Sequence, residues 1–151
     1  MFSRLIVGTD GSRRAKLAID LAKQLAEDSR VRIEIVHVRE HLVGGGAAGL
    51  PVLINEDEIL RSLHAEVGAL ADEGYNVHLQ IREARSRGAA QAIADVAAEL
   101  DADVIVIAGR GLGQVMGLVL GSVTERLLQI APCPVLVVPA RGYPADVGSD
   151  N

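Results

Sequence analysis

Short apolar segments alternate with longer amphipathic segments along most of this 151-residue chain. Short apolar runs indicate strands, whereas apolar residues three and four positions apart indicate helices. The predicted strands are residues 5–9, 31–38, 77–81, 103–108 and 135–138. The predicted helices are residues 12–26, about 55–73 and 88–100, and a fourth helix that begins at Ser122. This alternation constrains the fold more than any other feature of the sequence.

Strands joined by helices form parallel sheets, because a right-handed crossover through a helix brings the chain back for another parallel strand. If the first three strands wind one way and the last two the other, the strand order is 3-2-1-4-5. We therefore predict an α/β fold: a single open, doubly wound, five-stranded parallel sheet with helices on both faces. Residues 1–140 form the domain, and residues 141–151, which lack periodicity, are expected to be a flexible tail.

The predicted strand order reverses between strands one and four. Ligands of open α/β sheets bind at such a reversal, beside the carboxyl ends of the strands. Two turns that contain glycine would form the walls of this crevice. The first comprises Gly8, Thr9, Asp10, Gly11 and Ser12. The second follows Ile107 at the end of strand four and comprises Ala108, Gly109, Arg110 and Gly111.

A spaced glycine pattern extends from the second turn. Gly111 is followed by nine residues and then by Gly121 and Ser122. Glycines let backbone N–H groups approach an anion, and the free amides at a helix start favour negative charge, so the pattern is typical of phosphate binding. Because it follows the fourth strand rather than the first, it argues against a dinucleotide-binding fold. Residues 122–125 also match a capping box, so Ser122 is equally well explained as a helix cap.

Two polar side chains of the crevice have both a functional and a structural explanation. Asp10 would accept hydrogen bonds from ribose hydroxyls or, through water, support a divalent cation on phosphates. The sequence Asp-Gly-Ser is also typical of a turn or a helix N-cap, but the crevice location favours the functional interpretation. Arg110 would pair with a phosphate as a forked donor, or lie solvated in its loop.

Composition restricts the partners of the chain. A formal net charge of −5 argues against broad binding to nucleic acid or to an anionic membrane, and an aromatic content of 2% argues against base stacking. No apolar run approaches the roughly 18 residues of a membrane span, and the first residues do not resemble a signal peptide. We therefore expect a cytoplasmic protein. The single cysteine, Cys133, is expected to be a small core residue.

Sequence templates for catalysis are missing. The chain has neither the G-x-x-x-x-G-K-[ST] phosphate loop nor the G-x-S-x-G nucleophile elbow. His37 and His41 are four residues apart, which on a strand separates them by about 13 Å, too far for shared metal ligation. We therefore predict no catalytic residues and no metal ligands. The Gly- and Ala-rich residues 41–51 are interpreted as a lid over the crevice or as a simple connector.

Four segments of the chain, taken together, are more specific than any one of them. They are residues 5–12 (LIVGTDGS), residues 103–113 (DVIVIAGRGLG), the step Gly121-Ser122-Val123, and residues 131–138 (APCPVLVV). In this order and spacing, and over nearly the whole chain, they resemble the universal stress protein family. The resemblance implies a five-stranded α/β sandwich, which agrees with the fold predicted from the alternation.

The ATP-binding branch of that family carries G-x-x-G, nine residues, and then G-[ST]. The chain resembles this pattern at Gly111, Gly121 and Ser122, and departs from it at the first glycine, which is Ala108. A position that required a positive φ would be strained by alanine, whereas the last residue of a strand would tolerate it at small cost. We expect the second case.

The resemblance also implies a role for each matching residue. Asp10 would contact ribose, and the backbone around Val38 would contact adenine. Ala108 and Arg110 would lie against the nucleoside and the phosphates. The phosphates would be held by Gly111, Gly121, Ser122 and Val123, and the predicted site also includes Gly8, Thr9 and Ile107.

The resemblance further implies a regulatory stress-response protein that binds ATP together with Mg²⁺ and hydrolyses it slowly or not at all. It also implies a homodimer through the last strand, Val135–Val138, whose apolar edge would otherwise expose unpaired backbone. Two alternatives remain open. One is a homodimeric interaction module that has lost ATP binding or prefers AMP or a cyclic nucleotide. The other is an ATP-using enzyme of related α/β fold.

Overall fold

The computed structural model describes residues 2–26, 29–40, 56–84, 88–109 and 120–139. The strands are β1 (Arg4–Thr9), β2 (Arg32–Glu40), β3 (Asn76–Ala84), β4 (Val104–Ala108) and β5 (Val135–Val138). The helices are α1 (Arg13–Leu25), α2 (Glu56–Asp72), α3 (Gly88–Glu99) and α4 (Ser122–Ile130). The elements follow the predicted order. The predicted lid or connector and the predicted tail lie outside the described residues.

The strands form one parallel sheet in the order β3-β2-β1-β4-β5, which confirms the predicted topology. The third strand is longer than predicted, because β3 pairs with β2 along its whole length, as far as the pair Glu40–Ala84. The apolar pattern stops earlier, at Ile81, where polar side chains on an edge strand replace apolar ones. Backbone pairing continues where the hydrophobic signal has ended.

Alternate residues of the strands face two separate hydrophobic clusters, one on each side of the sheet. The α1–α2 face buries strand residues that include Leu5, Val7, Ile33, Ile35 and Val106. The α3–α4 face buries strand residues that include Ile6, Val36, Ile105 and Ile107. Each fully buried aliphatic side chain contributes about 1.5–3 kcal/mol through the hydrophobic effect. The predicted arrangement of helices on both faces is confirmed.

Two helix starts that look alike in sequence differ in structure. Ser12 is the N-cap of α1, and its Oγ accepts a hydrogen bond from the amide of Ala15 at 3.3 Å. At α4 the N-cap is Gly121, with no side-chain cap from the described residues, and Ser122 is the first helical residue. The interpretation of Ser122 as a cap is therefore wrong. Gly121 takes φ 81° and ψ 151°, a conformation open mainly to glycine, so the chain enters the helix one residue before the capping box predicts.

The predicted fourth strand also begins one residue later than expected. Asp103 precedes β4, and its Oδ2 accepts hydrogen bonds from the backbone amides of Ser3 at 2.6 Å and Arg4 at 2.7 Å. These bonds to the Arg4 and Ser3 amides lower the pKa of Asp103. The carboxylate thus provides the hydrogen-bond acceptor for the two backbone amides at the start of β1.

Cys133 is half-buried and packs against the cluster on the α3–α4 face. Burial raises the pKa of its thiol, because the charged thiolate is poorly solvated there. Cys133 therefore lies at the margin of the core and is less buried than predicted.

Candidate functional site

The β1 and β4 strands separate at the carboxyl edge of the sheet. Their pairing ends at the pair Gly8–Ile107. Beyond it, β1 continues beside β2 through Thr9, and β4 continues beside β5 through Ala108. Thr9 and Ala108 therefore belong to different pairs of strands on the two sides of an opening. The two strands therefore diverge at the place where the strand order predicts a ligand crevice.

The turn after β1 is held by its own side chains. Thr9 Oγ1 accepts a hydrogen bond from the Gly11 amide at 3.1 Å, and Asp10 Oδ1 accepts one from the Ser12 amide at 2.9 Å. Gly11 has φ +77°, and a Cβ at this position would lie only 2.6 Å from Cγ2 of Ile59 in α2. The turn is therefore packed beneath α2, and only glycine fits there.

Asp10 is exposed at the tip of this turn. Its Oδ1 bond to Ser12 is the turn interaction that the Asp-Gly-Ser sequence predicts. Its second oxygen, Oδ2, makes no hydrogen bond to the described residues. The side chain thus serves the turn with one oxygen, and the other oxygen has no partner among the described residues.

Three other predicted site residues have packing roles. A Cβ on Gly8 would lie 3.2 Å from Cδ1 of Ile93, so the missing side chain lets α3 approach β1 closely. Ile107 is buried in the same cluster, and Val38 packs against it at the end of β2. At these three positions the side chain is apolar or absent, so only the backbone offers polar groups at this edge of the sheet.

Ala108 is the last residue of β4, as expected. Among the described residues other than glycine, Asp101 alone has a positive φ, so the methyl group of Ala108 causes no backbone strain. The next residue, Gly109, still donates its amide to the carbonyl of Val138 at 2.8 Å. The chain therefore leaves the sheet only after Gly109. Arg110 and Gly111 lie outside the described residues.

The start of α4 forms the other part of the site. The helix runs back from the carboxyl edge of the sheet, because it joins two parallel strands, so its first turn lies at the edge that holds the crevice. Its first backbone bond joins the Glu125 amide to the Gly121 carbonyl at 2.9 Å. The amides of residues 121–124 precede that bond, and no side chain in the described ranges caps them. Ser122 is exposed and Val123 is half-buried.

The structure adds two residues that sequence reasoning missed, His37 and Glu56. The His37 side chain is 5% exposed, with Nδ1 3.1 Å from the carbonyl oxygen of Thr9 and Nε2 2.7 Å from Oε1 of Glu56. A histidine between apolar residues of a predicted strand is a weak signal for such a contact. Nothing in the sequence near Glu56 indicates its partner.

Within the described parts of the chain, no group of three or more His, Cys, Asp or Glu side chains is arranged to hold a metal ion. His41 lies outside those parts, so its separation from His37 stays a prediction.

Across the same parts of the chain, no helix has both the length and the apolar character needed to cross a bilayer.

The fold defines a doubly wound α/β protein whose candidate site lies at the reversal of strand order. Residues 1–139 match the model of the universal stress protein family. The chain belongs to this family, which confirms the resemblance seen in the four segments.

Relatives and solved structures agree with this assignment. The chain is 31% identical over 139 residues to universal stress protein Sll1654 of Synechocystis, covering 92% of this chain and 87% of that protein. It is similar to a universal stress protein crystallised in complex with cAMP, with 25% identity, a TM-score of 0.65 and coverage of 92% and 98%. The universal stress protein of Archaeoglobus fulgidus in complex with dAMP is 26% identical, with a TM-score of 0.62 and coverage of 91% and 97%.

Proposed function

We propose that the chain is a regulatory, cytoplasmic nucleotide-binding protein that holds an adenine nucleotide in the crevice between β1 and β4. The first turn of α4 carries this proposal. Its amides have no side-chain cap from the described residues, and the positive end of the helix dipole lies with them, so the turn suits a phosphate group. The related structures in complex with cAMP and dAMP support an adenine nucleotide as the ligand.

The proposed contacts are those that the family resemblance implies. Asp10 would accept hydrogen bonds from the ribose hydroxyls through its free oxygen. The backbone around Val38 would contact adenine, beside Gly8, Thr9 and Ile107. Ala108 and Arg110 would lie against the nucleoside and phosphates. Phosphate oxygens would be held by Gly111, Gly121, Ser122 and Val123.

The proposed ligand is ATP, with Mg²⁺ carried on its phosphates. Binding would be read out as a change in conformation or partner, with slow or no hydrolysis. AMP or a cyclic nucleotide is the alternative ligand. The complexes of related proteins with cAMP and dAMP favour testing AMP and cAMP beside ATP.

Isothermal titration of dialysed protein with ATP and Mg²⁺, with AMP and with cAMP tests the proposal. Gly121→Ala places a side chain at a φ of 81°, which displaces the uncapped amides. We expect it to weaken nucleotide binding roughly tenfold or more, the equivalent of one lost charged hydrogen bond. Gly88→Ala is the matched control: this glycine also has a positive φ, 79°, at a helix start, but lies in α3, outside the proposed contacts. Its affinity should stay unchanged.

A second variant tests the departure from the family pattern. Ala108→Gly should bind ATP as tightly as the wild type or more tightly, because Ala108 is unstrained. If neither the wild type nor this variant binds ATP, AMP or cAMP while remaining folded, the nucleotide proposal is wrong and an interaction module is the better description. Steady-state phosphate release that continues over many turnovers per protein molecule would instead favour an enzyme.

We also propose a homodimer through β5. This strand lies at the edge of the sheet, where its outer backbone groups have no neighbouring strand among the described residues, and the Leu136 side chain is 39% exposed on it. Light scattering should show that Leu136→Lys shifts a dimer to a monomer. Leu128→Lys is the control, since Leu128 is 51% exposed but lies on α4. A monomeric wild type, or equal effects of the two variants, would contradict this interface.

A further inference from the structure

The two helices on one face of the sheet carry opposite charges. The α1 helix has four basic side chains and one acidic one, whereas α2 has five acidic side chains and one basic one. On the other face the imbalance is small, since α3 has two acidic residues and α4 has one residue of each sign. The α1–α2 face is therefore divided into a positive half and a negative half.

A groove with a volume of about 370 Å³ separates α1 from α2. The buried side chains of Ile19 and Leu70 form its floor. The charged residues along its rims are Lys16, Asp20 and Lys23 from α1, with Glu66 from α2 and Glu73 from the turn after it. Most of the lining residues are exposed, whereas a pocket for a small molecule buries most of its ligand. The groove suits the side chains of an opposing protein surface better than a small ligand.

One end of the groove is closed by an ion pair, and the rest is not. Lys23 Nζ lies 2.7 Å from Oε2 of Glu73. The helices run in the same direction, because each joins parallel strands, and Lys16 and Glu66 each lie seven residues earlier, about 10.5 Å along a helix axis. They therefore stand level with each other on the two rims. Neither has an ion-pair partner among the described residues, so both charges are available to another molecule.

Small residues occupy the outer surface of α2 beside this rim. Ser62, Ala65, Gly68 and Ala69 are all exposed. A Cβ added to Gly68 would meet no atom within 4 Å, so the described chain gives no packing reason for a glycine inside this helix, where alanine is more favourable. Because the distance between packed helices depends on the side chains at their contact, this surface lets a second helix approach closely.

The charge pattern of the face is complementary to itself in one orientation. In a two-fold dimer both copies use the same patch, so each contact occurs twice. With the two-fold axis along the groove, α1 of each copy lies over α2 of the other, and Lys16 meets Glu66 of the second copy. With the axis across the groove, α1 would lie over α1 and α2 over α2. Like charges would then meet, so the charges favour the first orientation.

We propose that the α1–α2 face is a second self-association surface, on which another copy of the chain packs with its α1 over α2. This interface is separate from β5, and it depends neither on the β5 contact nor on nucleotide binding. Exposed ion pairs contribute little each, so the association is weak and forms as the protein concentration rises. Combined with a dimer through β5, it would build assemblies larger than a dimer.

Charge reversals at the two rims test which chain supplies each partner. Lys16→Glu places two acidic side chains at each contact between copies, and Glu66→Lys places two basic ones there. Each variant alone should weaken self-association roughly tenfold or more, since both symmetric contacts become repulsive. In a mixed dimer of the two variants, both contacts again join opposite charges. Mixing should therefore restore association, which charges that act only within one chain cannot do.

The first measurement is sedimentation velocity without nucleotide, from micromolar to millimolar protein, with all variants made in the Leu136→Lys background that disrupts the β5 edge. The Leu136→Lys protein should be monomeric at micromolar concentration and dimeric at millimolar concentration. Lys16→Glu and Glu66→Lys should each stay monomeric, and their equal mixture should dimerise. Asp95→Lys is the matched control, because it makes the same charge change as Glu66→Lys at an exposed residue of α3, and it should dimerise normally.

The second measurement locates the interface by NMR. Unlabelled Glu66→Lys protein is added to ¹⁵N-labelled Lys16→Glu protein, and the shifted amides should lie in α1 and α2. Unlabelled Lys16→Glu protein should shift none of them. A Leu136→Lys protein that stays monomeric at millimolar concentration would overturn the proposal. So would single reversals that dimerise normally, a mixture that stays monomeric, or shifts confined to α3 and α4.

Discussion

Two turns reach the crevice, and they treat their backbone amides in opposite ways. After β1, the amides of Gly11 and Ser12 are bonded to side chains of the same turn. At the start of α4, by contrast, the amides after Gly121 have no side-chain partner in the parts of the chain that the structure describes. A turn that satisfies itself presents a side chain, here the Asp10 carboxylate, whereas an uncapped helix start presents backbone N–H groups. The first suits hydroxyl groups and the second suits an anion.

The largest effect is expected from a change in the packing of the turn after β1. Gly11→Ala combines a positive φ with a Cβ only 2.6 Å from Ile59, so we expect a loss of about 3 kcal/mol in the free energy of unfolding. Gly74→Ala isolates the backbone part, because Gly74 has φ +96° with no atom within 4 Å of the added Cβ, and it should lose only about 1 kcal/mol. Urea unfolding of the two variants measures the difference. Equal losses would show that α2 does not press on the turn.

The two serines at the helix starts provide a second test. Ser12→Ala removes the cap of α1 and should lower the free energy of unfolding by about 1 kcal/mol. Ser122→Ala removes no cap, so its loss should stay below about 0.5 kcal/mol. Urea midpoints of both variants at the same pH make the comparison. A larger loss at Ser122 would mean that its hydroxyl does cap α4 in solution.

The smallest change in the free energy of unfolding is expected at the opposite end of β1. There Asp103 accepts hydrogen bonds from the Ser3 and Arg4 amides. Because these bonds lower its pKa in the folded state, the ionised carboxylate stabilises the fold above the pKa of the unfolded chain. This contribution is lost as pH falls through the lower, folded value. Asp103→Asn should therefore cost about 1 kcal/mol or less at pH 7, given the exposure of the site.

The urea midpoints of Asp103→Asn and the wild type should approach each other below about pH 4, as the wild-type carboxylate takes up its proton. Asp72→Asn, which changes an exposed carboxylate on α2, serves as the control. A wild-type advantage that persists unchanged into acid would mean that the charge of Asp103 does not matter.

The strand order and the two-faced core were predictable because they depend on regular features of the sequence. Buried parallel strands are recognised as continuous apolar runs, such as residues 104–107. Helices are recognised by the spacing of their apolar residues, as in α1. The end of β3 was not predictable in this way. Edge strands keep their backbone pairing while their side chains turn polar, so the signal at Arg82 and Glu83 disappears before the strand does.

The candidate site was predictable as a place but not as a set of contacts. Topology puts Asp10 and Gly121 at one edge of the sheet, and sequence alone reaches that conclusion. The position of the α4 cap depends on the backbone angles of Gly121, which the capping-box pattern does not encode. The contact between His37 and Glu56 joins residues 19 positions apart on different elements, so only the packing of α2 reveals it.

The separation of β1 from β4 after Gly8 and Ile107 also affects how such a site can evolve. Each wall of the opening is anchored to its own neighbour, β1 to β2 and β4 to β5, so the width of the opening is set by backbone pairing rather than by the residues that line it. Exchanging a lining side chain that makes no bond to the backbone, such as Ser122, changes the chemistry of the opening and leaves the strand pairing in place. The same frame can thus be fitted to a different small ligand by point substitutions, without rebuilding the sheet.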